Sequence, residues 1–441
     1  MKKLIFILLT CPFILHAQKN YQQLIDKYMV AEAGIREFNG SVMVVQKGTT
    51  IYQKAFGMAD MELNVPNINT TKYRIGSVTK QFTAACILQL AEQGKLNVDD
   101  KLTKYIPDYP KGDSITIHML LCHTSGIKNY TSLPEFWPKS ILPLSKDSMI
   151  AIFKHKPLDF SPGTKFSYSN SGYYLLGVIV EKVSGKNFSD YLLENVIRKA
   201  GLNNTAMDRL DSILLNRAKG YDKSRFGGWQ HAQYISMEGP YSAGAMFSTT
   251  EDLVKWTKAL HNNQVISAGY TKKMMTPNLD QYGYGIGIDS FKTHPRVSHN
   301  GGIPGFSSSL AYYPQDDLCV VAISNTGYNS DKISESLAAI MFDFPVIAPY
   351  KPKEVKIDPS VFDRYTGKYM ATNPIELLKR DNKMYRKVER GPEIELKPES
   401  ETRFFYADGS DRFIEFEVDK SGKPVKAWFM TVNEKVEMKK L

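Results

Sequence analysis

The stretch Arg74-Ile75-Gly76-Ser77-Val78-Thr79-Lys80 places a serine and a lysine three residues apart, just ahead of an apolar-patterned run. Val78, Phe82, Ala85, Leu88 and Ala91 recur at helical spacing, Ile87 and Leu90 widen the stripe, and Gly94 offers a stop. The spacing predicts a helix that starts at Ser77 and carries the Lys80 amine one turn away on the same face. A serine hydroxyl is a weak nucleophile until a neighbour takes its proton. A lysine held in a dry pocket can lose its own proton near neutral pH and do so. The helix N-terminus favours negative charge developing on the serine or its acyl adduct.

Ser77 as a simple helix cap is the competing reading of that stretch. Ser-x-x-Lys also recurs at Ser125 to Lys128, where Gly126 follows the serine and no long apolar-periodic run comes next, so a loop is expected there. The decision rests on the rest of the chain.

The 441 residues suffice for about two or three domains with a large core. A hydrophobic fraction of 42% with 23% charged residues is that of a globular protein. The formal net charge of +10 is dispersed rather than gathered into lysine-arginine blocks, which argues against a nucleic-acid partner and reads first as solvated surface charge with no partner, with association with an anionic cell envelope as the less favoured alternative. Lys2 and Lys3, an apolar run from Leu4 to Leu15 and the small residue Ala17 read as a cleavable export signal over 1–17. A lipoprotein anchor at Cys11 is the less favoured alternative, since Thr10 is a poor residue before such a cysteine. No other segment has the length and apolarity of a membrane span, so a periplasmic or secreted mature chain is expected. Cys86, Cys122 and Cys319 remain, too few and too far apart for a disulfide framework. Without Cys-x-x-Cys or His-Glu-x-x-His, no metal or other cofactor is expected.

Taken in order, residues 20–33 read as a helix, and 41–47 and 51–56 as strands around the turn at Gly48. Residues 127–165 look irregular. Phe166-Ser167-Tyr168-Ser169-Asn170-Ser171-Gly172 leads into a helix from about 173 to 184, which leaves Tyr168 and Asn170 on a loop at its start. Residues 249–260 follow a capping box, Thr249 to Asp252 or Ser248 to Glu251. Gly283, Gly285 and Gly287 alternate with Tyr284, Ile286 and Ile288 and read as a glycine-rich strand, not a nucleotide loop. Strands at 307–313 and 318–325 and a helix at 331–343 follow. The expected organisation is a hydrolase domain over 18–345, a proline-rich linker over 346–360 and an antiparallel β domain over 361–441.

Acyl transfer needs a nucleophile, a base, a proton donor for the leaving group and an oxyanion hole. Ser77 and Lys80 supply the first two. Tyr168 can share the acid and base roles if cations depress its pKa, and Asn170 can hold Lys80. His299 can orient a substrate group or poise Tyr168. Asn300 and Gly301 would contact substrate along an exposed strand edge, and an N–H of the glycine pair 301–302 can join the Ser77 N–H as the hole.

Ser77-Val78-Thr79-Lys80, Tyr168-Ser169-Asn170 and His299-Asn300-Gly301, in this order, resemble the serine β-lactamase and penicillin-binding-protein family, most of all its class C-related hydrolases. Phe38-Asn39-Gly40-Ser41, Leu121-Cys122-His123-Thr124-Ser125-Gly126 and Ser242-Ala243-Gly244 through Asp252-Leu253 are similar as well. The resemblance spans about residues 20–345. It implies an α/β (α+β) fold in which an antiparallel sheet is flanked by helices beside a mostly helical lobe, with the site between them and a lipocalin-like β-barrel as the tail. It implies an acyl-enzyme on Ser77, a proton relay through Lys80 and Tyr168, support from Asn170, and a hole built from the N–H groups of Ser77 and Gly302. His299 stands where β-lactamases carry a lysine that helps hold a β-lactam carboxylate. A neutral imidazole offers an anion less charge, which disfavours a β-lactam substrate without removing it and favours an ester, peptide or D-amino-acid amide. A penicillin-binding sensor and a non-catalytic binding protein on the same fold are the alternatives.

Overall fold

The computed structural model describes residues 20–441 apart from 210, 390 and 432–434. The export-signal reading of 1–17 lies outside the described residues. The elements that position the site are α1 (Tyr21–Arg36), β1 (Gly40–Gln46), β2 (Thr49–Phe56), α2 (Thr79–Glu92), α3 (Asn170–Ser184), α4 (Thr250–His261), β3 (Gly287–Phe291), β4 (His294–Ile303), β5 (Phe306–Tyr313), β6 (Leu318–Ser324) and α5 (Ser330–Met341).

The strands form one antiparallel sheet in the order β3-β4-β5-β6-β1-β2. Side chains alternate across a strand, and both faces here are buried. Met43, Val45, Cys319, Val321 and Ile323 enter a core shared with α2, α3 and α4. Val42, Val44, Leu318, Val320 and Ala322 enter a second core beneath α1 and α5. This explains why Val42–Val45 and Leu318–Ile323 are continuous apolar runs rather than alternating ones.

Helix α2 runs through the larger core and is buried from Thr79 to Ala91, on every side rather than along one stripe. Polar side chains on it tie it to its surroundings: Trp256 Nε1 donates to Gln81 Oε1 at 2.7 Å, and Gln89 Nε2 donates to the carbonyls of Asn195 and Val265 at 2.7 and 2.8 Å. Phe82 stacks on Trp256 with centroids 4.0 Å apart. The helix is therefore a rigid post, and its first turn carries the serine and lysine.

Residues 283–286 depart from the expected strand. Only Gly287 opens β3, and Gly285 turns with φ +74°. A Cβ at Gly285 would lie 2.6 Å from the Lys80 carbonyl, so this loop lies flush against α2. Of the capping box expected at 249–252 one half is present: Thr249 Oγ1 accepts from the Asp252 N–H at 3.2 Å, while Asp252 Oδ2 accepts from the Asn204 N–H and the Thr205 hydroxyl instead.

Eight further strands, from Gly367–Met370 to Lys435–Lys440, form a closed antiparallel barrel in which each strand pairs with its neighbour in sequence and the last closes on the first. Its interior is filled by side chains, among them Leu377, Leu396, Phe404 and Tyr365 stacked on Phe416 at 3.9 Å. Asp411 joins the barrel to the sheet domain by accepting from Arg36 of α1 and from Lys332 of α5, the latter at 2.9 Å. No helix among the described residues is long and apolar enough to cross a membrane.

Candidate active site

Three backbone constraints fix the start of α2. Tyr73–Arg74 pair with Phe247 and Ser248, and the Ile75 N–H donates to Met246 O at 3.0 Å. The Ile75 carbonyl accepts from Ser308 Oγ at 2.8 Å. Gly76 then turns with φ +49°, and a Cβ there would sit 2.8 Å from the Gly302 nitrogen. A Cβ on Gly301 would meet the Ile75 carbonyl at 2.0 Å. Glycine is required at both positions because the two backbones touch. Gly302 has open space on its free side. Ser77 sits in a single 3-10 turn, Gly76–Val78, that runs straight into α2, two residues ahead of its first residue, Thr79.

Lys80 is fully buried. Its Nζ lies 3.0 Å from Ser77 Oγ, 2.8 Å from Asn170 Oδ1 and 2.8 Å from Ala243 O. Burial pushes its pKa well below the usual lysine range. A neutral amine has two N–H groups and one lone pair. As a neutral amine Lys80 would give those two hydrogens to Asn170 Oδ1 and Ala243 O and keep its lone pair for the Ser77 hydroxyl. The rings of Tyr168 and Tyr173 lie 4.8 and 5.4 Å from the nitrogen. Among the described residues no carboxylate forms an ion pair with it.

Asn170 is the first residue of α3 rather than a loop residue, and its amide orientation is set by its neighbours. Nδ2 donates to Thr131 Oγ1 at 3.3 Å, and its backbone N–H donates to Asn129 Oδ1 at 3.2 Å. That leaves Oδ1 for Lys80. Thr131 and Asn129 come from the stretch expected to be irregular, and no sequence motif marked them.

The Tyr168 hydroxyl is buried without a hydrogen-bond partner among the described residues. Burial dominates and pushes its pKa up, and nearby Ser77 draws it down only in part, without reaching hydrogen-bond geometry. The expected depression by cations does not occur, because the neighbouring lysine is itself driven toward neutrality. Tyr168 is a neutral phenol at neutral pH.

His299 lies on β4 opposite Leu310 and is buried. Its Nδ1 donates to Asn300 O at 2.5 Å, and its Nε2 accepts from Tyr282 OH at 2.8 Å. Burial first, and Lys80 second, lower its pKa to about 3. Tyr282 was invisible in the sequence, where it sits in an unremarkable loop. Asn300 is exposed and donates from Nδ2 to Asp331 Oδ2 at 2.7 Å. Beyond His299 a cleft of about 300 Å³ opens between Tyr168, Arg296, Asn300, Asp331 and Glu335. Two larger clefts, of about 410 and 630 Å³, lie around Lys146 and Glu181 and contain none of the motif residues.

All the residues picked from the three motifs thus meet at one place: Ser77, Lys80, Tyr168 and Asn170 at the junction of α2 and α3, and His299, Asn300, Gly301 and Gly302 on the facing strand. The second Ser-x-x-Lys does not. Ser125 Oγ accepts from the Ile127 N–H at 3.3 Å, and Lys128 pairs with Asp159 at 2.5 Å.

This fold and site are those of a serine hydrolase built on a helix-flanked antiparallel sheet. The family described as Beta-lactamase matches residues 23–340, and the chain belongs to it. It is similar to Penicillin-binding protein 4* of Bacillus subtilis (strain 168), 27% identical over 419 residues that cover 88% of this chain and 91% of that one. Among solved structures it is similar to the octameric penicillin-binding protein homologue from Pyrococcus abyssi, with TM-score 0.67 and 25% identity over 94% of this chain and 99% of that one. It also shares the fold of the D-amino acid amidase from Ochrobactrum anthropi SV3, with TM-score 0.65 and 22% identity over 74% of this chain and 98% of that one. The chain is thus a serine hydrolase of the β-lactamase-related type, working through an acyl-enzyme.

Proposed function

We propose that the chain is exported, that its substrate is a small ester, peptide or D-amino-acid amide, and that Ser77 is the residue acylated. The observation that carries the acylation of Ser77 is the contact between a fully buried Lys80 Nζ and Ser77 Oγ at 3.0 Å. Lys80 takes the Ser77 proton as Oγ attacks the substrate carbonyl. The N–H groups of Ser77 and Gly302 receive the oxyanion, a role supported by the close approach of Gly76 to Gly302. Tyr168, kept as a neutral phenol, gives a proton to the departing alkoxide or amine and is recharged from Lys80. Water then attacks the acyl-serine with Lys80 again as base, releasing the acid and regenerating Ser77. Asn170 holds the lysine, and His299 lines the substrate edge as an uncharged group.

The neutral His299 supports a substrate that carries no carboxylate at that point. The domain division at about 346–360 and the export signal over 1–17 belong to the same proposal, with the barrel as an accessory domain outside the cell. The name of the Bacillus relative favours a second reading, in which penicillin acylates Ser77 and stays there.

Intact mass after incubation with a fluorophosphonate and, separately, with a penicillin tests both readings against Ser77→Ala. A fluorophosphonate adduct that depends on Ser77 is expected. A lasting penicillin adduct would favour the second reading. No adduct with either reagent would sink both.

A further inference from the structure

One buried polar group in the core of the site has no part in the chemistry above. His123 follows the short helix Ile117–Leu121, is 1% exposed and adopts φ +58°, a left-handed conformation uncommon for a residue with a Cβ. In that conformation it grips one passing segment twice. Its carbonyl accepts from the Ser167 N–H at 2.9 Å, and its Nδ1 accepts from the Ser169 N–H at 3.1 Å. The two bonds bracket Tyr168. The imidazole also lies against the Tyr168 ring, with centroids 4.3 Å apart, and against Tyr282 at 4.8 Å.

The chemistry of this clamp is specific. An Nδ1 that accepts a hydrogen bond carries no proton, so the neutral ring has its hydrogen on Nε2. Nε2 is buried among the rings of Tyr168, Tyr173 and Tyr282 and has no hydrogen-bond partner among the described residues. A phenylalanine could fill the same space. It could not accept from Ser169, whose N–H would then be buried and unpaired. Asparagine could accept from Ser169, and it tolerates the left-handed conformation better than most residues. What the position demands is therefore an acceptor in a left-handed residue, not only an apolar ring.

We propose that His123 is the positioning residue for Tyr168, holding its backbone on both sides and its ring on one face so that the phenol points at the departing group. This rests on the reading of Tyr168 as proton donor. A proton donor matters most when the leaving group is basic and least when it leaves unaided. The test is hydrolysis of a series of aryl acetates running from p-nitrophenyl to p-methoxyphenyl acetate by wild type, Tyr168→Phe, His123→Phe and His123→Asn, with fluorophosphonate labelling measured in parallel.

In the wild type the rate should fall only gently as the leaving group becomes more basic. Tyr168→Phe and His123→Phe should steepen that dependence alike, with the most basic ester slowed by about tenfold or more while labelling, which expels fluoride, changes far less. His123→Asn should restore the gentle dependence even where its melting temperature is lower. A His123→Phe series parallel to the wild type, or equal losses on every ester and on labelling, would overturn the proposal. Should His123→Phe fail to fold, ¹⁵N spectra of the wild-type imidazole decide: Nδ1 unprotonated and hydrogen-bonded is expected, and a proton on Nδ1 would overturn it. A wild type that fluorophosphonate does not label would count against the proposed function instead.

Discussion

Lys80 Nζ lies 3.0 Å from Ser77 Oγ in a pocket that supplies two carbonyl-type acceptors and, among the described residues, no carboxylate. The absence of a counter-charge matters as much as the distance. A lysine beside a carboxylate would stay protonated and useless as a base, whereas desolvation alone drives this one toward the amine. Lys80→Met keeps the stem and removes the nitrogen, and should slow fluorophosphonate labelling by about 10²- to 10⁴-fold. Lys80→Arg should fare no better, because a guanidinium keeps its proton. The second-order labelling rate of each variant checks this, and a Met variant that labels as fast as wild type would remove Lys80 from the mechanism.

The same burial sets the response to acid. The folded-state pKa values of His299 and His261 are about 3 and about 4, both below the ordinary histidine value. The unfolded chain therefore binds more protons than the folded one between roughly pH 4 and 6.5, and stability must fall as the pH drops through that window. At about 1.4 kcal/mol per pH unit for a single such group, His299 alone contributes on the order of 2–3 kcal/mol of loss by pH 4.5. Thermal melts from pH 7.5 to 4.5 should show a steady decline, less steep in His299→Gln. A flat melting temperature over that range would mean that these histidines are not held neutral.

Gly76 should tolerate a side chain poorly. Alanine there combines a backbone at φ +49° with a Cβ 2.8 Å from the Gly302 nitrogen. A stability loss of about 2–4 kcal/mol is expected, together with loss of labelling as the two backbones part. Gly94 is the control, since its φ is +69° but no atom lies within 4 Å of the added Cβ. Gly94→Ala should cost only about 1 kcal/mol and leave labelling unchanged. Equal effects from the two would show that the contact with Gly302 is not what matters.

How far the sequence could be read follows from what kinds of signal reach it. The nucleophile helix, the β1–β2 hairpin, strands β5 and β6 and some strands of the C-terminal β domain were visible because each has a period, a cap or a turn of its own, whereas the closure of that domain into a barrel came from the resemblance alone. The site was visible because short motifs carry its chemistry. Three features were not. Residues 283–286 alternate glycine with bulky residues like a strand, but Gly285 bends the chain to fit against the Lys80 carbonyl, a contact 205 residues away along the sequence. Thr131, Asn129 and Tyr282 orient Asn170 and His299 from loops with no pattern to mark them. The Tyr168 pKa was expected to fall if cations lay near, and it rises, because whether desolvation or charge wins depends on burial that only the folded chain shows.

The cleft beyond His299 makes the last prediction, on substrate charge. Asp289, Asp331 and Glu335 line it with Arg296, so three carboxylates against one guanidinium leave it two charges negative. Arg296 is already committed, to Asp289 through two bonds at 2.8 and 2.7 Å and to Glu335 at 3.1 Å. Lys332, the cation next to Asp331 in sequence, turns to Asp411 of the barrel. Asp331 is left with a neutral donor, Asn300 Nδ2. A substrate group that reaches past His299 should therefore be better received as an ammonium than as a carboxylate. The expected preference in kcat/KM is about three- to tenfold between esters that differ only in that charge, shrinking in high salt because the cleft is open to solvent. Asp331→Asn should reduce the preference without changing the labelling rate, since the fluorophosphonate need not occupy the cleft. If the carboxylate ester is the better substrate of wild type, the acidic wall does not face the bound substrate, and the charge of His299 ceases to be a guide to what this hydrolase cleaves.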